Sequence, residues 1–184
     1  MKKSIVHQNT CLPPHSNLLV LGINMKTELV TPILILDNIR SAHNVGSLFR
    51  TADAVGIQKM YLVGITPAPL DRFKRPRPDI AKAALGAEKT MSWESVKTLA
   101  PLVTKLKKDG YTIIAIEQSS TSVDYKKVRL GKKTAFILGN EVTGISPQIL
   151  KKCDIIAEIP MKGGKESLNV SVSGGIALFR MLEV

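Results

Sequence analysis

A parallel α/β sheet flanked by helices is the fold this sequence predicts, and three observations lead there. Short runs of strand length, Ile33-Leu34-Ile35-Leu36 first among them, are continuously apolar, as strands covered on both faces must be. These runs alternate with segments whose apolar residues recur at helical spacing, the pattern of β-α-β units. The chain has 184 residues, 44% hydrophobic and 22% charged. Those are values of one ordinary domain, and they exclude disorder, collagen and coiled coil as global descriptions.

Residues 1–31 are polar and mixed, with Pro13-Pro14 and an apolar patch at Leu18–Ile23, and read as an arm too short for a second domain. Regular patterning fills residues 32–184. After Ile33–Leu36, a helix opens near Asn44 as N-cap and carries Val45, Leu48, Phe49, Ala52 and Val55 on one stripe, with Gly56 placed for a left-handed cap. Strand Met60–Val63 completes β-α-β. Residues 66–82 hold Pro67, Pro69, Pro76 and Pro78 among Arg72, Lys74, Arg75, Arg77 and Lys82, so they read as a basic loop, either a solvated face or the leading nucleic-acid contact. Ser92 is expected to cap a helix bearing Trp93, Val96, Leu99, Val103 and Leu106, closed by Lys107-Lys108 and Gly110. Strands Tyr111–Glu117 and Thr134–Leu138, a short helix from Pro147, strand Ile155–Ile159 and a last helix from about Leu168 finish the chain.

Lys and Arg number 26 against 15 Asp and Glu, a net charge of +11, which suits a polyanionic partner. With 4% aromatic residues, few stacking platforms are expected, and recognition through backbone, shape and charge is favoured over splayed bases. Apolar runs such as Leu18–Leu21 stop far short of the roughly 20 residues that cross a bilayer, and Lys2-Lys3 leads into polar residues, so neither a span nor a signal peptide is expected. Cys11 and Cys153 lie outside any metal or disulfide spacing, and a reducing cytoplasm is the default. His7, His15 and His43 lack ligand spacing, and no metal is expected.

Three stretches place Gly, Asn or hydroxyl residues where strands give way to helices, the edge at which open α/β sheets bind ligands. The first is Asn44-Val-Gly46-Ser-Leu-Phe-Arg50, where Gly46 lets another backbone approach and Arg50 either pairs with Asp37 or Asp53 or serves a site. The second, Phe136-Ile-Leu-Gly139-Asn140-Glu141-Val-Thr-Gly144-Ile, ends a buried strand in a turn with exposed backbone polar groups beside a carboxylate. Glu141 either caps that turn, pairs with Lys132 or Lys133, or takes part in chemistry. The third runs from Ile159 through Gly163-Gly164 and Ser167-Leu168-Asn169-Val-Ser171-Val to Ser173-Gly174-Gly175, where adjacent helical glycines imply close packing by a threaded chain or a dimer partner.

In this order the three stretches, together with Ala84-Leu-Gly86-Ala87-Glu88, resemble the motifs of the SpoU/TrmH family of SPOUT RNA 2′-O-ribose methyltransferases, over about Pro32 to Met181. The resemblance implies a deep C-terminal trefoil knot, a homodimer, and S-adenosylmethionine as cofactor. Carried over by position, the cofactor would lie against Ile116, Glu117, Leu138, Gly139, Ile159, Pro160, Met161, Ser167 and Leu168. Arg50, Asn44, Glu141, Ser167 and Asn169 would form the catalytic group, although Ser167 and Asn169 also suit a helix cap. The chain is then expected to be a minimal catalytic domain acting on tRNA or rRNA; the alternative is a silent knotted RNA-binding protein. A dinucleotide oxidoreductase is disfavoured because no Gly-x-Gly-x-x-Gly follows the first strand. Ser173-Gly174-Gly175 departs from the family's more usual alanines.

Overall fold

Successive residues of a strand face opposite sides of the sheet, and the central strands of this protein use both sides for packing. In the computed structural model, which describes residues 31–184, the elements in order are β1 (Thr31–Asp37), α1 (Ala42–Ala54), β2 (Lys59–Val63), α2 (Pro78–Ala84) and α3 (Ala87–Thr90). Then follow β3 (Trp93–Val96), α4 (Leu99–Lys108), β4 (Thr112–Ile116), β5 (Val123–Asp124), β6 (Lys133–Leu138), α5 (Pro147–Leu150), β7 (Ile155–Glu158) and α6 (Val170–Met181). The strands form one sheet in the order β3-β2-β1-β6-β4-β7-β5, every neighbouring pair parallel.

Leu34 and Leu36 of β1 point to the face covered by α1, α2, α3 and α6, where they meet Leu48, Phe49, Ile80 and Leu178. Ile33 and Ile35 point to the other face, covered by α4 and α5 through Leu99, Val103, Leu106 and Ile149. Burying each such side chain contributes about 1.5–3 kcal/mol, so the continuous apolar runs hold both helix layers at once. The stripe Val45, Leu48, Phe49, Ala52 and Val55 is buried as its spacing predicts, and Gly56 closes α1 at φ +74°.

Four sequence expectations are corrected. Trp93–Val96 forms edge strand β3 beside Met60–Val63, and the helix begins only at Leu99. Pro101 explains the boundary: it is tolerated in a first turn but would break a helix already under way from Ser92. Ser41, not Asn44, caps α1, its hydroxyl accepting the Asn44 N–H at 3.2 Å. The basic loop ends where α2 begins, so Lys82 stands on a helix. Asn169 caps the last helix, which starts at Val170 instead of Leu168. Of the arm expected at residues 1–31, residues 1–30 lie outside the described residues, and Thr31 opens β1.

Candidate active site

The carboxyl ends of β1 and β6 are adjacent, and one side chain locks the segments that leave them. Glu141, just past β6, accepts the Arg40 N–H at 2.9 Å on Oε2, and the Ser41 N–H and the Asn44 side-chain amide, both at 3.1 Å, on Oε1. Burial pushes the Glu141 carboxyl up, but the N–H groups of Arg40, Glu141 itself and Ser41, with the Asn44 amide, outweigh it and hold its pKa below the ordinary glutamate value. Lys133 is not its partner, since that ammonium donates to the Asp109 carbonyl at 3.0 Å. Freed from capping, Asn44 also accepts the Asn169 side-chain amide at 3.2 Å, while Asn169 Oδ1 accepts from the Ser171 N–H at 2.8 Å. Asn44 thus joins α1, the turn after β6 and the start of α6, three segments far apart in sequence.

The turn after β6 is folded tightly on itself. A Cβ at Gly139 would fall 2.6 Å from the Gly144 carbonyl carbon, and Gly144 itself sits at φ +63°. Asn140 Oδ1 accepts the Val142 and Thr143 N–H groups, and its amide donates to the Asn38 carbonyl at 2.7 Å. Glu117, leaving β4, accepts the Ile145 N–H at 3.0 Å and so ties the turn to the next strand.

Between β4, the segment after β7 and the start of α6 lies a cleft of about 140 Å³ that opens to solvent. Its lining includes Ile116, Glu117, Ile159, Met161, Ser167 and Leu168, all singled out by sequence. Pro160 borders the adjoining cavity with Gly163 and Lys165. Leu138 and Gly139 do not line the cleft. The Leu138 side chain is buried against α6, where a Cβ on Gly174 would meet it at 2.8 Å and Leu48 at 2.7 Å, and Gly139 is occupied by its own turn. That packing within the chain accounts for Gly174, whereas nothing among the described residues lies within 4 Å of a Cβ at Gly175.

Gln118 and Ser173 also line the cleft and were not anticipated. Gln118 donates to the Glu166 carbonyl at 2.7 Å, bridging one wall to the glycine-bearing loop. Its place one residue beyond Glu117 was the available signal. Apolar walls with amide, hydroxyl and carboxylate groups at the rim suit a ligand that carries both apolar and polar parts.

Arg50 is exposed on α1, and its guanidinium has no hydrogen-bond or ion-pair partner among the described residues; the pairing with Asp37 or Asp53 is not formed. Asp37 instead accepts the Asn38 amide at 2.9 Å. Gly46 permits the close approach its position suggested, since an added Cβ would lie 2.5 Å from the Ile80 carbonyl oxygen of α2. In the basic segment, Arg75 pairs with Asp71 and Arg77 with Asp79, while Arg72, Lys74 and Lys82 have no acidic partner among the described residues.

Comparison with known proteins places this arrangement. The SpoU rRNA Methylase family model matches residues 31–179. The 23S rRNA (guanosine-2'-O-)-methyltransferase RlmB of Neisseria meningitidis serogroup B is 37% identical over 146 residues, covering 79% of this chain and 56% of that protein. The A. aeolicus TrmH/SpoU tRNA modifying enzyme superposes with a TM-score of 0.72 at 32% identity, covering 83% of this chain and 74% of the other. An AdoMet-bound rRNA methyltransferase from Sinorhizobium meliloti gives 0.73 at 26% identity, covering 83% and 56%. The chain spans little more than half the length of the Neisseria relative, and the matched residues contain all three linked segments and the cleft. On that match, the chain belongs to the SpoU rRNA methylase family.

Proposed function

We propose that the protein is an S-adenosylmethionine-dependent methyltransferase acting on a ribose 2′-hydroxyl of tRNA or rRNA. The observation that carries the reading is the joining of Asn44, Glu141 and Asn169 into one hydrogen-bonded cluster next to the cleft lined by Ser167 and Leu168. The family membership and the AdoMet-bound relative support it. Ile116, Ile159, Met161 and Leu168 would give the cofactor its apolar walls, with Glu117, Gln118, Ser167 and Ser173 at its polar edges. When bound, that cofactor supplies an electrophilic methyl group on a sulfonium.

Arg50 is assigned to the target ribose and its phosphate. A guanidinium, which holds its proton tightly, is a poor general base, but its fork binds a phosphate through two N–H groups and stabilises developing alkoxide charge. The proton of the 2′-hydroxyl then leaves to the phosphate or to water. Asn44, Glu141, Ser167 and Asn169 hold the reacting groups in line, the kind of positioning that lowers the barrier most for a simple displacement. Retention of all five side chains disfavours a silent RNA-binding scaffold.

The finer features belong to the same proposal. Val172, Ile176 and Phe179 form an exposed apolar stripe at helical spacing on α6, next to the open face of Gly175, and this supports a homodimer. Membership of the family supports a knotted C-terminal segment. An arm ahead of β1 and a catalytic domain from β1 to residue 184 are the proposed organisation. Among the described residues no helix is long and apolar enough to cross a membrane, and no cluster of metal-ligating side chains occurs; a cytoplasmic site of action is proposed.

The experiment is transfer of labelled methyl from S-adenosylmethionine to unmodified transcripts of rRNA and tRNA, followed by alkaline hydrolysis. A methylated 2′-oxygen protects the adjacent phosphodiester, so label in alkali-resistant dinucleotides is expected. Label in mononucleotides would place the methyl on a base and overturn the ribose assignment.

A further inference from the structure

A single exposed phenylalanine is ordinary on a protein surface. Phe73 differs from that case in three respects. It is 61% exposed at the tip of the basic segment, and two guanidiniums lie over its ring, Arg72 at 4.7 Å and Arg75 at 4.9 Å from the centroid. The turn that presents it is fixed from within. Asp71 Oδ1 accepts the N–H groups of Phe73 at 2.7 Å and Arg75 at 2.9 Å, while Oδ2 accepts Arg75 Nε at 2.8 Å. Lys74 takes the left-handed φ of +60°, reversing the chain, and Leu70 and Pro76 close the base as a bridge.

Both feet of the segment stand on the edge that carries the candidate site. Thr66, at its start, donates to the Leu36 carbonyl and accepts the Ile39 N–H, each at 3.0 Å, which fixes it to the end of β1. At its other end, α2 packs on Gly46 of α1, the helix that bears Arg50. An exposed ring on a turn fixed from within, with the unpaired Arg72 close by, matches what a nucleobase needs: an aromatic surface for stacking and positive charge for the phosphate beside it.

We infer that Phe73, with Arg72 and Arg75, is a stacking platform for an unpaired nucleobase of the RNA substrate. The inference rests on the RNA reading given above and narrows the substrate to RNA that offers an unstacked base, in a loop, bulge or single strand, near the methylated ribose. Stacking is indifferent to base identity, so the platform positions the strand without reading its sequence.

Two labelled single-stranded probes of equal charge test it by fluorescence anisotropy: a mixed-sequence ribonucleotide dodecamer, and the same backbone without bases. The wild-type protein is expected to bind the base-bearing probe about tenfold more tightly than the abasic one. Phe73→Ala removes that difference and leaves abasic binding and its salt slope unchanged. Phe73→Trp retains the preference, whereas Phe73→Leu, apolar but without a π face, behaves as Ala. A wild-type protein that binds both probes alike or neither, a Phe73→Ala variant that keeps the preference, or a Phe73→Leu variant equal to wild type overturns the platform. Binding of S-adenosylhomocysteine and methyl transfer are separate readouts, so failure of the platform is distinguishable from failure of the methyltransferase reading.

Discussion

The hydrogen-bonded cluster around Asn44 and the basic segment around Phe73 stand on the same edge of the sheet but are stabilised in opposite ways. The cluster is held by long-range bonds: Glu141 reaches Arg40, Ser41 and Asn44, and Asn169 reaches Asn44. The basic segment is held locally, with Asp71 bonding Phe73 and Arg75 within four residues. A long-range cluster can fix distances between cofactor and substrate groups that come from different segments. A local turn instead presents its side chains to whatever approaches and tolerates their replacement. Substitutions in the first region should therefore disturb geometry and stability together, and those in the second should change affinity alone.

Arg50 gives the largest effect, because it is the guanidinium assigned to the target ribose and, exposed on α1 with no partner among the described residues, it holds no part of the fold. Arg50→Lys keeps the charge and loses the fork. Methyl transfer should fall about a hundredfold or more, with thermal midpoint and S-adenosylhomocysteine affinity unchanged, as steady-state kinetics and calorimetry would record. Near-full turnover in the variant would exclude a bidentate role.

Gly46→Val comes next. The added side chain meets the Ile80 backbone oxygen, which cannot move without shifting α2. Overpacking of this kind costs about 3 kcal/mol, or roughly 6–12 °C in the midpoint of a domain this size, readable by differential scanning calorimetry. An unchanged midpoint would show that α2 is loosely held.

Glu141→Gln should cost about 1 kcal/mol at neutral pH, since one amide oxygen replaces an ionised acceptor of several N–H groups. The pKa of Glu141 lies below its ordinary value, so its stabilisation is complete above the unfolded value of about 4.3 and is lost as pH falls through the folded one. The gap in denaturant midpoint between wild type and variant should therefore close in acid; a gap that persists there would assign the loss to something other than the carboxylate charge.

The smallest effect on the fold belongs to Arg72→Gln combined with Lys74→Gln. Neither side chain has an acidic partner among the described residues, so the midpoint should not move. The slope of log affinity for RNA against log salt should drop by about 1–2, the share of two phosphate contacts. An unaltered slope would remove these two side chains from the interface.

Much of this was legible in sequence because it rests on strong local signals. Strands of unbroken apolar residues and the α1 stripe follow from period alone, and Gly46 announced a close approach by lacking a side chain. The cluster was legible as residues but not as bonds, since nothing local shows that Asn44 serves three segments while Ser41 takes over the cap. The apolar residues of Trp93–Val96 stand at i and i+3, a helical spacing, and only pairing with β2 makes the segment a strand. Val123–Asp124 is too short to carry any pattern. The low aromatic content argues against many stacking platforms, and composition cannot report where the few rings stand, as Phe73 beside Arg72 and Arg75 illustrates.

The central claim is that the cleft beside the cluster is a cofactor pocket, and calorimetric titration with S-adenosylhomocysteine tests it without any RNA. The account predicts saturable binding at one site per chain, lost in Leu168→Arg, which sets a charge against the apolar wall, and retained in Phe73→Ala. Absence of binding by the folded wild-type protein, or binding that survives Leu168→Arg undiminished, would contradict it.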